Sequence, residues 1–548
     1  MMKKIQILIF LLVSILTSIM AQSTEGKDFW LTFGQNANVG SPTNQVNLQV
    51  RIASGSNPTT VTFYFINLAT SQSFEVDAFQ VFDYTLSPLE KASVYNTFLE
   101  TKGSLRINSS YPITVYALSQ VVSGSNTWSD VTNVFPSKAL GSNYFNLSYT
   151  PAIDADAYAV IAMEDNTNVY HNSSPVATLN TGNVYYRRSP WSDMTGSHIT
   201  STKPIAFYAF SQRAQIPQGY NVASPLVQQL APVDTWGKNF FVPASHLIKD
   251  RIRIVASQNN TNITQKGGEL KSVIGSQLSL TGLLAGQFLE LEINLDSAGC
   301  YIQSDKPIGV CTYLTSANYN NQGVAAPAQC WVPAMEQALS EVLVVPFKYV
   351  SNPTLNVHYA LVVTPTKTKE NTEVSIGNQP PTALSGGIWI DNNSAGMSYY
   401  PMPLTNDIES YRFINGEGLF VLCYGVGNQD SYYYLGGSSL RDLEAAFYAN
   451  NISYQFLSDT TFCNNNVNFL AEIEGFIQSR DTLRWYINDG TGEIEEIVAQ
   501  NQLKWSKIFP NGVYKIRMEI IVENEEPKYR IGTLKVQKLW IKIRNVQY

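Results

Sequence analysis

The feature that most constrains this chain is one short phrase that recurs along it. It reads Ile107-Asn-Ser-Ser-Tyr-Pro112-Ile113-Thr-Val115, then Ile199-Thr-Ser-Thr-Lys-Pro204-Ile205-Ala-Phe207, then Ile302-Gln-Ser-Asp-Lys-Pro307-Ile308-Gly-Val310. A weaker copy is Phe413-Ile-Asn-Gly-Glu-Gly418-Leu419-Phe-Val421. An apolar residue leads each copy, and an alternating apolar run of β type follows the Pro or Gly. Proline lacks an N–H and suits the start of a strand, so the phrase predicts strand, polar turn, strand.

Other markers keep step with it. Ahead of each copy comes Gly-x-x-aromatic-aromatic, at Gly26 to Trp30, Gly141 to Phe145 and Gly237 to Phe241, eroded in the last copy to Ser340-Glu-Val-Leu343-Val344. Between opener and phrase lies an Asn/Thr turn before a β-branched residue: Asn57 to Val61, Asn166 to Val169, Asn260 to Ile263 and Asn371 to Val374. Four units of roughly a hundred residues follow, the size of whole β-sandwich domains rather than of solenoid repeats. The fold class is therefore all-β, with tandem β-sandwich-like repeats at 22–125, 126–225, 226–330 and 331–445; the alternative is one propeller-like closed β body with each unit a large blade.

Past the repeats the texture changes, and 446–548 reads as a fifth module. Cys463, then Trp485 within Leu483 to Ile487, then the corner Gly512-Val-Tyr514 resemble immunoglobulin-like sandwiches, including the polycystic-kidney-disease-like kind. Ile516 stands where an antibody-type domain would carry its second cysteine. Leu440 to Tyr448 is predicted as the one helix of any length.

The first residues read as a secretory signal peptide, 1–21: Lys3 and Lys4, an apolar stretch from Ile5 to Met20, then the small Ala21 before Gln22. Only 14% of residues are charged and 12% are aromatic, the profile of an extracellular surface made soluble by neutral polar groups, and 44% hydrophobic residues are ample for cores. The net charge of −7 does not favour nucleic acid. No later run is long enough to form a transmembrane segment once the signal is cleaved. Basic residues near the C-terminus, among them Lys528, Arg530 and Lys535, alternate with apolar ones and read as the wet face of a strand.

The opener Gly26-Lys-Asp-Phe-Trp-Leu-Thr-Phe-Gly-Gln-Asn36, the recurring Pro-Ile-x-Val/Phe strands and Trp236-Gly-Lys-Asn-Phe-Phe241 resemble the IgGFc-binding protein N-terminal domain family over about 25–440. Secreted members of the kind found in gut Bacteroidetes have the same order: signal peptide, this region, immunoglobulin-like tail. The resemblance implies a secreted or cell-surface binding and adhesion protein, with immunoglobulin Fc or mucosal protein as ligand. The matching positions are fold-forming aromatics, prolines and glycines, so no binding residue carries over.

Catalytic constellations do not emerge. His171, His198, His246 and His358 lack metal-ligand spacing, and there is no nucleophile elbow, phosphate loop or dinucleotide fingerprint. The chain is expected to act without enzymatic turnover, cofactor or metal. Asp154 and Asp156 are the one carboxylate pair a glycosidase would need, with no matching acids expected in the other repeats. Asn488 to Gly492 reads as a hairpin turn rather than a calcium loop. Of five cysteines, Cys300 and Cys311 would face each other across the predicted hairpin as a disulfide; Cys311 with Cys330, or buried thiols, are the alternatives. Binding candidates are Trp128, Tyr319 and the cluster Tyr432, Tyr433 and Tyr434, because tyrosine offers contact area and a hydroxyl at low entropic cost. The expected partner is an extracellular protein, IgG Fc or mucin; a glycan-binding or nutrient-capture role is the alternative.

Overall fold

The computed structural model of the chain describes residues 24–36, 45–96, 103–124, 126–295, 297–320, 323–347, 355–405, 410–440, 443, 445–463, 465–473, 481–488, 496–521 and 528–537. The signal peptide and the 489–495 turn lie outside them. The chain divides into a unit at Ser23–Leu440 and a second that holds Arg441–Tyr548.

Within the first unit, each repeat is built on one long strand: Leu105–Ser123, His198–Ala214, Cys300–Leu314 and Tyr411–Gly427. In the first module its leading half pairs with Gly26–Leu31 and Thr59–Phe65, its trailing half with Gln45–Ser54 and Asn126–Val134. The same pairings recur in the other three, so one strand serves two layers of a β-sandwich-like module. The closing strand Asn126–Val134 thus belongs to the first module, past the boundary read at 125, and Ser224–Gln229 likewise completes the second.

The organising phrase is therefore the middle of a continuous strand and not a hairpin. Pro112, Pro204 and Pro307 fall where the strand changes partners, between Asn108 and Ile113, Thr200 and Ile205, and Gln303 and Ile308 on the opener's side. No ladder asks for an N–H there, which is why proline is tolerated mid-strand. The polar residues that read as a turn fill the bulge: Ser109 Oγ donates to Tyr111 O at 2.7 Å, Ser201 to Lys203 O at 2.6 Å and Ser304 to Lys306 O at 2.6 Å. The Asn turns behave as expected at Asn166 and Asn260, which hold φ at +56° and +57°.

Tyrosines on the long strands close the four modules on themselves. Tyr208 donates to Trp30 O at 2.7 Å, Tyr313 to Ser148 O at 3.0 Å and Tyr424 to His246 O at 3.1 Å, each into the module before its own. Tyr116 of the first module donates to Leu343 O of the fourth at 2.9 Å, and Thr24 N–H reaches Ser438 O at 3.0 Å. The modules are sandwich-like, and together they make the closed body that was the alternative reading. At its centre the closing strands Asn126–Val134, Ser224–Gln229, Ala328–Trp331 and Asp430–Gly437 meet around Asp130. That fully buried carboxylate accepts the N–H of Val131 at 2.9 Å, Val227 at 3.1 Å, Gln329 at 3.1 Å and Tyr433 at 3.3 Å, one from each module.

The second unit is a sandwich of a four-stranded and a five-stranded sheet. Trp485 is buried against Phe447, Phe469 and Trp505, and Tyr514 Oη donates to Pro510 O at 3.0 Å, the tyrosine corner that the sequence suggested. At its described residues the helix expected at 440–448 is absent. Ala445–Ala449 is a strand paired with Asn466–Ile473, whose alternating apolar residues supply the period-2 face it needs. Lys535 is exposed between the buried Leu534 and Val536, as a wet strand face requires.

Candidate functional site

Two strands of the third module carry alternating charge. Asp250–Ala256 places Arg251 and Arg253 on one face, and its neighbour Phe288–Ile293 places Glu292 and Glu290 directly opposite them. Period-2 alternation sends all four side chains to the same side of the sheet, facing the second module. Arg251 Nη2 meets Glu292 Oε2 at 2.8 Å, and Arg253 Nε meets Glu290 Oε2 at 3.0 Å. The second module adds Asp193, whose Oδ2 lies 2.7 Å from Arg253 Nη1, and Tyr149, whose ring lies 3.9 Å below the same guanidinium. Tyr149 Oη donates to Glu290 Oε1 at 2.9 Å, and Thr150 Oγ1 to Asp193 Oδ2 at 2.7 Å.

Burial alone would lower the Arg253 pKa; Asp193 and Glu290 outweigh it and hold the guanidinium well above its ordinary value. Burial likewise opposes ionisation of Asp193, and Arg253 reverses this to hold its carboxyl below the usual range. Lys249 and Lys271 extend the cluster through Glu292, and Lys271 also pairs with Glu269. Four cations thus stand against Asp193, Glu269, Glu290 and Glu292.

Over this cluster opens a cleft of about 490 Å³, lined by Tyr149, Thr150, Gln218, Arg251 and Arg253 together with the segment 271–274. Arg251 Nε and Arg253 Nη2 have no hydrogen-bond partner among the described residues, although both side chains are buried. Trp191, two positions before Asp193 in sequence, is 68% exposed. These residues were not singled out from the sequence, yet Arg251-Ile-Arg253-Ile and Glu290-Leu-Glu292-Ile carry a signal: like charges at period 2 in otherwise apolar strands.

The anticipated residues fall elsewhere. Tyr432, Tyr433 and Tyr434 are buried on the fourth module's closing strand, so they are core rather than ligand contacts. Tyr434 Oη donates to Val345 O at 2.7 Å, and Tyr432 Oη accepts the Phe347 N–H at 3.1 Å. Trp128 is half-buried with the Arg213 guanidinium 5.6 Å over its ring. Tyr319 stands by the charged cluster: it donates to Glu292 Oε2 at 2.5 Å, and Lys249 lies 5.0 Å over its ring.

Cys300 and Cys311 lie on one strand rather than on two facing ones, and both are buried free thiols. A separation of eleven strand residues, about 35 Å, rules out a bond between them. Asp156 is buried and accepts from Ser148 Oγ at 2.6 Å, Met194 N at 2.6 Å and Ala157 N at 3.0 Å, while Asp154 sits in a turn with φ +69°. The two do not form a pair across a cleft. A matching acid does exist in the third module: Asp250 accepts from Ser245 N at 2.7 Å and Oγ at 2.8 Å, so both are strand-start caps. The histidines pack on rings: His171 on Tyr158, His198 on Phe145, His246 on Tyr359 and His358 on Tyr432.

Residues 17–190 and 178–425 match the family described as IgGFc binding protein. A human relative, IgGFc-binding protein, is 29% identical over 233 residues, which cover 39% of this chain and 4% of the relative; the chain thus spans only a small part of that protein's length. Among solved structures, Sidekick-1 immunoglobulin domains 1-5 align with a TM-score of 0.10 at 9% identity, covering 94% of this chain and all of that one. The human Desmocollin-1 ectodomain aligns with a TM-score of 0.12 at 6% identity, covering 94% and 99%. Scores this low carry no argument about fold.

Proposed function

The chain belongs to the IgGFc-binding protein family, and from that premise we propose that it is a secreted or cell-surface adhesion protein whose closed four-module body binds an extracellular protein, immunoglobulin Fc or a mucosal protein such as mucin. The observation that carries this reading is a coincidence of boundaries: the family match at 17–425 falls on the compact unit Ser23–Leu440, and the C-terminal sandwich lies outside it. The binding surface is accordingly sought on the closed body, with the sandwich, immunoglobulin-like in its Trp485 and Tyr514 features, as a spacer or second module. Secretion draws on Lys3, Lys4 and the apolar stretch to Met20. Among the described residues no helix is long and apolar enough to cross a membrane. Action by binding without turnover draws on the burial of Asp156 and on the ion-paired state of the cleft acids Asp193 and Glu290.

The test is binding of the chain from residue 22 onward to immobilised IgG Fc and to mucin, with the C-terminal sandwich as control. Saturable binding to either surface that the sandwich lacks supports the reading. Equal binding by the sandwich, or silence on both surfaces, overturns it.

A further inference from the structure

We infer that the chain self-associates head to tail: the outer face of one copy's C-terminal sandwich docks on an acidic, aromatic patch of a second copy's first module. This goes beyond the binding role above and does not rest on it.

The docking face is the solvent side of the five-stranded sheet. Along Gly512–Ile521, Val513, Lys515, Arg517 and Glu519 alternate with the buried Tyr514, Ile516 and Met518, so they share that side. The ladders set Lys535, Thr533, Ile531 and Tyr529 beside them in turn, and Arg484 and Tyr486 beside Glu519 and Arg517. Ile497 lies opposite Tyr486. Ile497, Val513, Tyr529 and Ile531 are exposed together, an apolar surface of the kind that marks an interaction site.

Charge selects the partner. Arg484, Lys515, Arg517 and Lys535 stand against one acid, Glu519, among the described residues of this face. Glu519 is spent within it, accepting from Tyr486 Oη at 2.6 Å and from Arg484 Nη1 at 3.2 Å. The Arg517 guanidinium is held 3.7 Å over the Tyr486 ring. Lys515 and Lys535 are exposed, with no ion pair among the described residues. Two such faces would set like charges together, so the face does not pair with itself and its partner is acidic. Residues 23–440 are acidic, with 21 Lys and Arg against 29 Asp and Glu.

Within them the first module holds the matching patch, where its two edge strands Thr70–Val76 and Val81–Thr85 come together. The half-buried Phe74 lies 4.8 Å from Phe82 and 5.2 Å from Tyr84. Tyr84 Oη donates to Glu90 Oε1 at 2.7 Å, which brings in the helix Pro88–Val94 and its exposed Leu89. Glu75 and Asp77 follow Phe74 in the chain, and both are exposed without an ion pair among the described residues. Apolar surface bordered by acids thus matches apolar surface bordered by cations.

Magnitudes set the strength. Four strand spacings of about 4.8 Å by ten residues at about 3.4 Å give a face of at most about 650 Å². With the partner's share the contact reaches about 1,300 Å², the lower part of the range for specific interfaces, so the association is weak, reversible and screened by salt. Because face and patch are different surfaces, the contact is heterologous and each copy can add to the last.

Sedimentation velocity of the chain from residue 22 onward, over a hundredfold range of concentration at low and at high salt, tests this. The expected result is species beyond a dimer that grow with concentration at low salt and dissociate at high salt. Lys515→Glu with Lys535→Glu, and separately Glu75→Lys with Asp77→Lys, should each abolish that growth with thermal unfolding unchanged, since all four positions are exposed. Where a reversal shifts thermal unfolding, Lys535→Gln or Asp77→Asn replaces it and should weaken the growth. Mixing the two reversed variants should restore it, because each altered surface then meets its altered counterpart. A monomer at every concentration, growth that stops at a dimer, growth unchanged in the variants, or a mixture that stays monomeric overturns the proposal.

Discussion

Asp130 Oδ2 accepts the backbone N–H of Gln329 at 3.1 Å across 199 residues of chain. The same carboxylate takes an N–H from each of the other modules, so one side chain satisfies the equivalent donor four times around a pseudo-fourfold centre. Burial pushes its pKa well up, and the four N–H groups oppose that by favouring the ionised form.

Replacing Asp130 is expected to cost as much as truncating a large apolar core side chain. Asp130→Ala leaves four buried N–H groups without acceptors, at about 1 kcal/mol or more each, so urea unfolding should show a loss of about 4 kcal/mol or no folded protein. Asp130→Asn keeps one acceptor oxygen and turns an NH2 toward donors, and should fall between the two. A loss under about 1 kcal/mol for the alanine variant would refute the hub.

Asp250 sets a pH dependence of definite sign. Burial raises its carboxyl to about 7, against about 3.9 for an unfolded aspartate. The folded state therefore holds this proton more tightly, and the contribution is fully present below about pH 4 and lost as pH rises toward 7, by up to about 1.4 kcal/mol per unit. Asp250→Asn removes the effect. The stability of the variant relative to wild type, from denaturant titrations, should climb between about pH 4 and 7 and then level; a flat difference contradicts the assignment.

The thiols divide cleanly. Cys300, Cys311 and Cys423 are buried with pKa values pushed up to about 12 by desolvation, Cys330 is buried too, and Cys463 is exposed. An aromatic disulfide reagent should label one thiol per native chain and five after denaturation under reducing conditions. Loss of labelling in Cys463→Ser identifies the site, and two rapidly reacting native thiols would overturn the burial pattern.

The two units each hold a tyrosine latch. Tyr116→Phe removes the hydroxyl that bridges Leu343 O and Gly436 O, and Tyr514→Phe removes the corner bond to Pro510 O. Each should cost about 1–2 kcal/mol. By calorimetry each variant is expected to lower a different unfolding transition, since each unit has its own core. A single transition lowered by both would show that they unfold together.

Much of this was legible in the chain itself. The repeat count and the all-β class follow from periodicity and turn chemistry, which act over a few residues, whereas the corner at Tyr514 was suggested by a resemblance to immunoglobulin-like sandwiches. The phrase reads as a hairpin because Ser304, Asp305 and Pro307 serve a bulge as well as they serve a turn, and only the ladders on either side distinguish the two. Tyr432, Tyr433 and Tyr434 looked like a binding surface because composition does not say which strands meet at a centre. The cleft was overlooked for a related reason: Arg251 and Arg253 become a site only when Tyr149 and Asp193 arrive from the module before.

Local sequence thus determined that there are four similar modules built of strands, because repeat and β-type alternation are short-range patterns. The tertiary structure alone decided that the modules close on themselves, that Asp130 is the hub and that Arg253 pairs with Asp193 of the module before. Those outcomes rest on hydrogen bonds and ion pairs between residues 60 or more positions apart, as from Arg253 to Asp193, from Tyr116 to Gly436 and from Asp130 to Tyr433, and no local pattern encodes which distant partner a buried polar group will find.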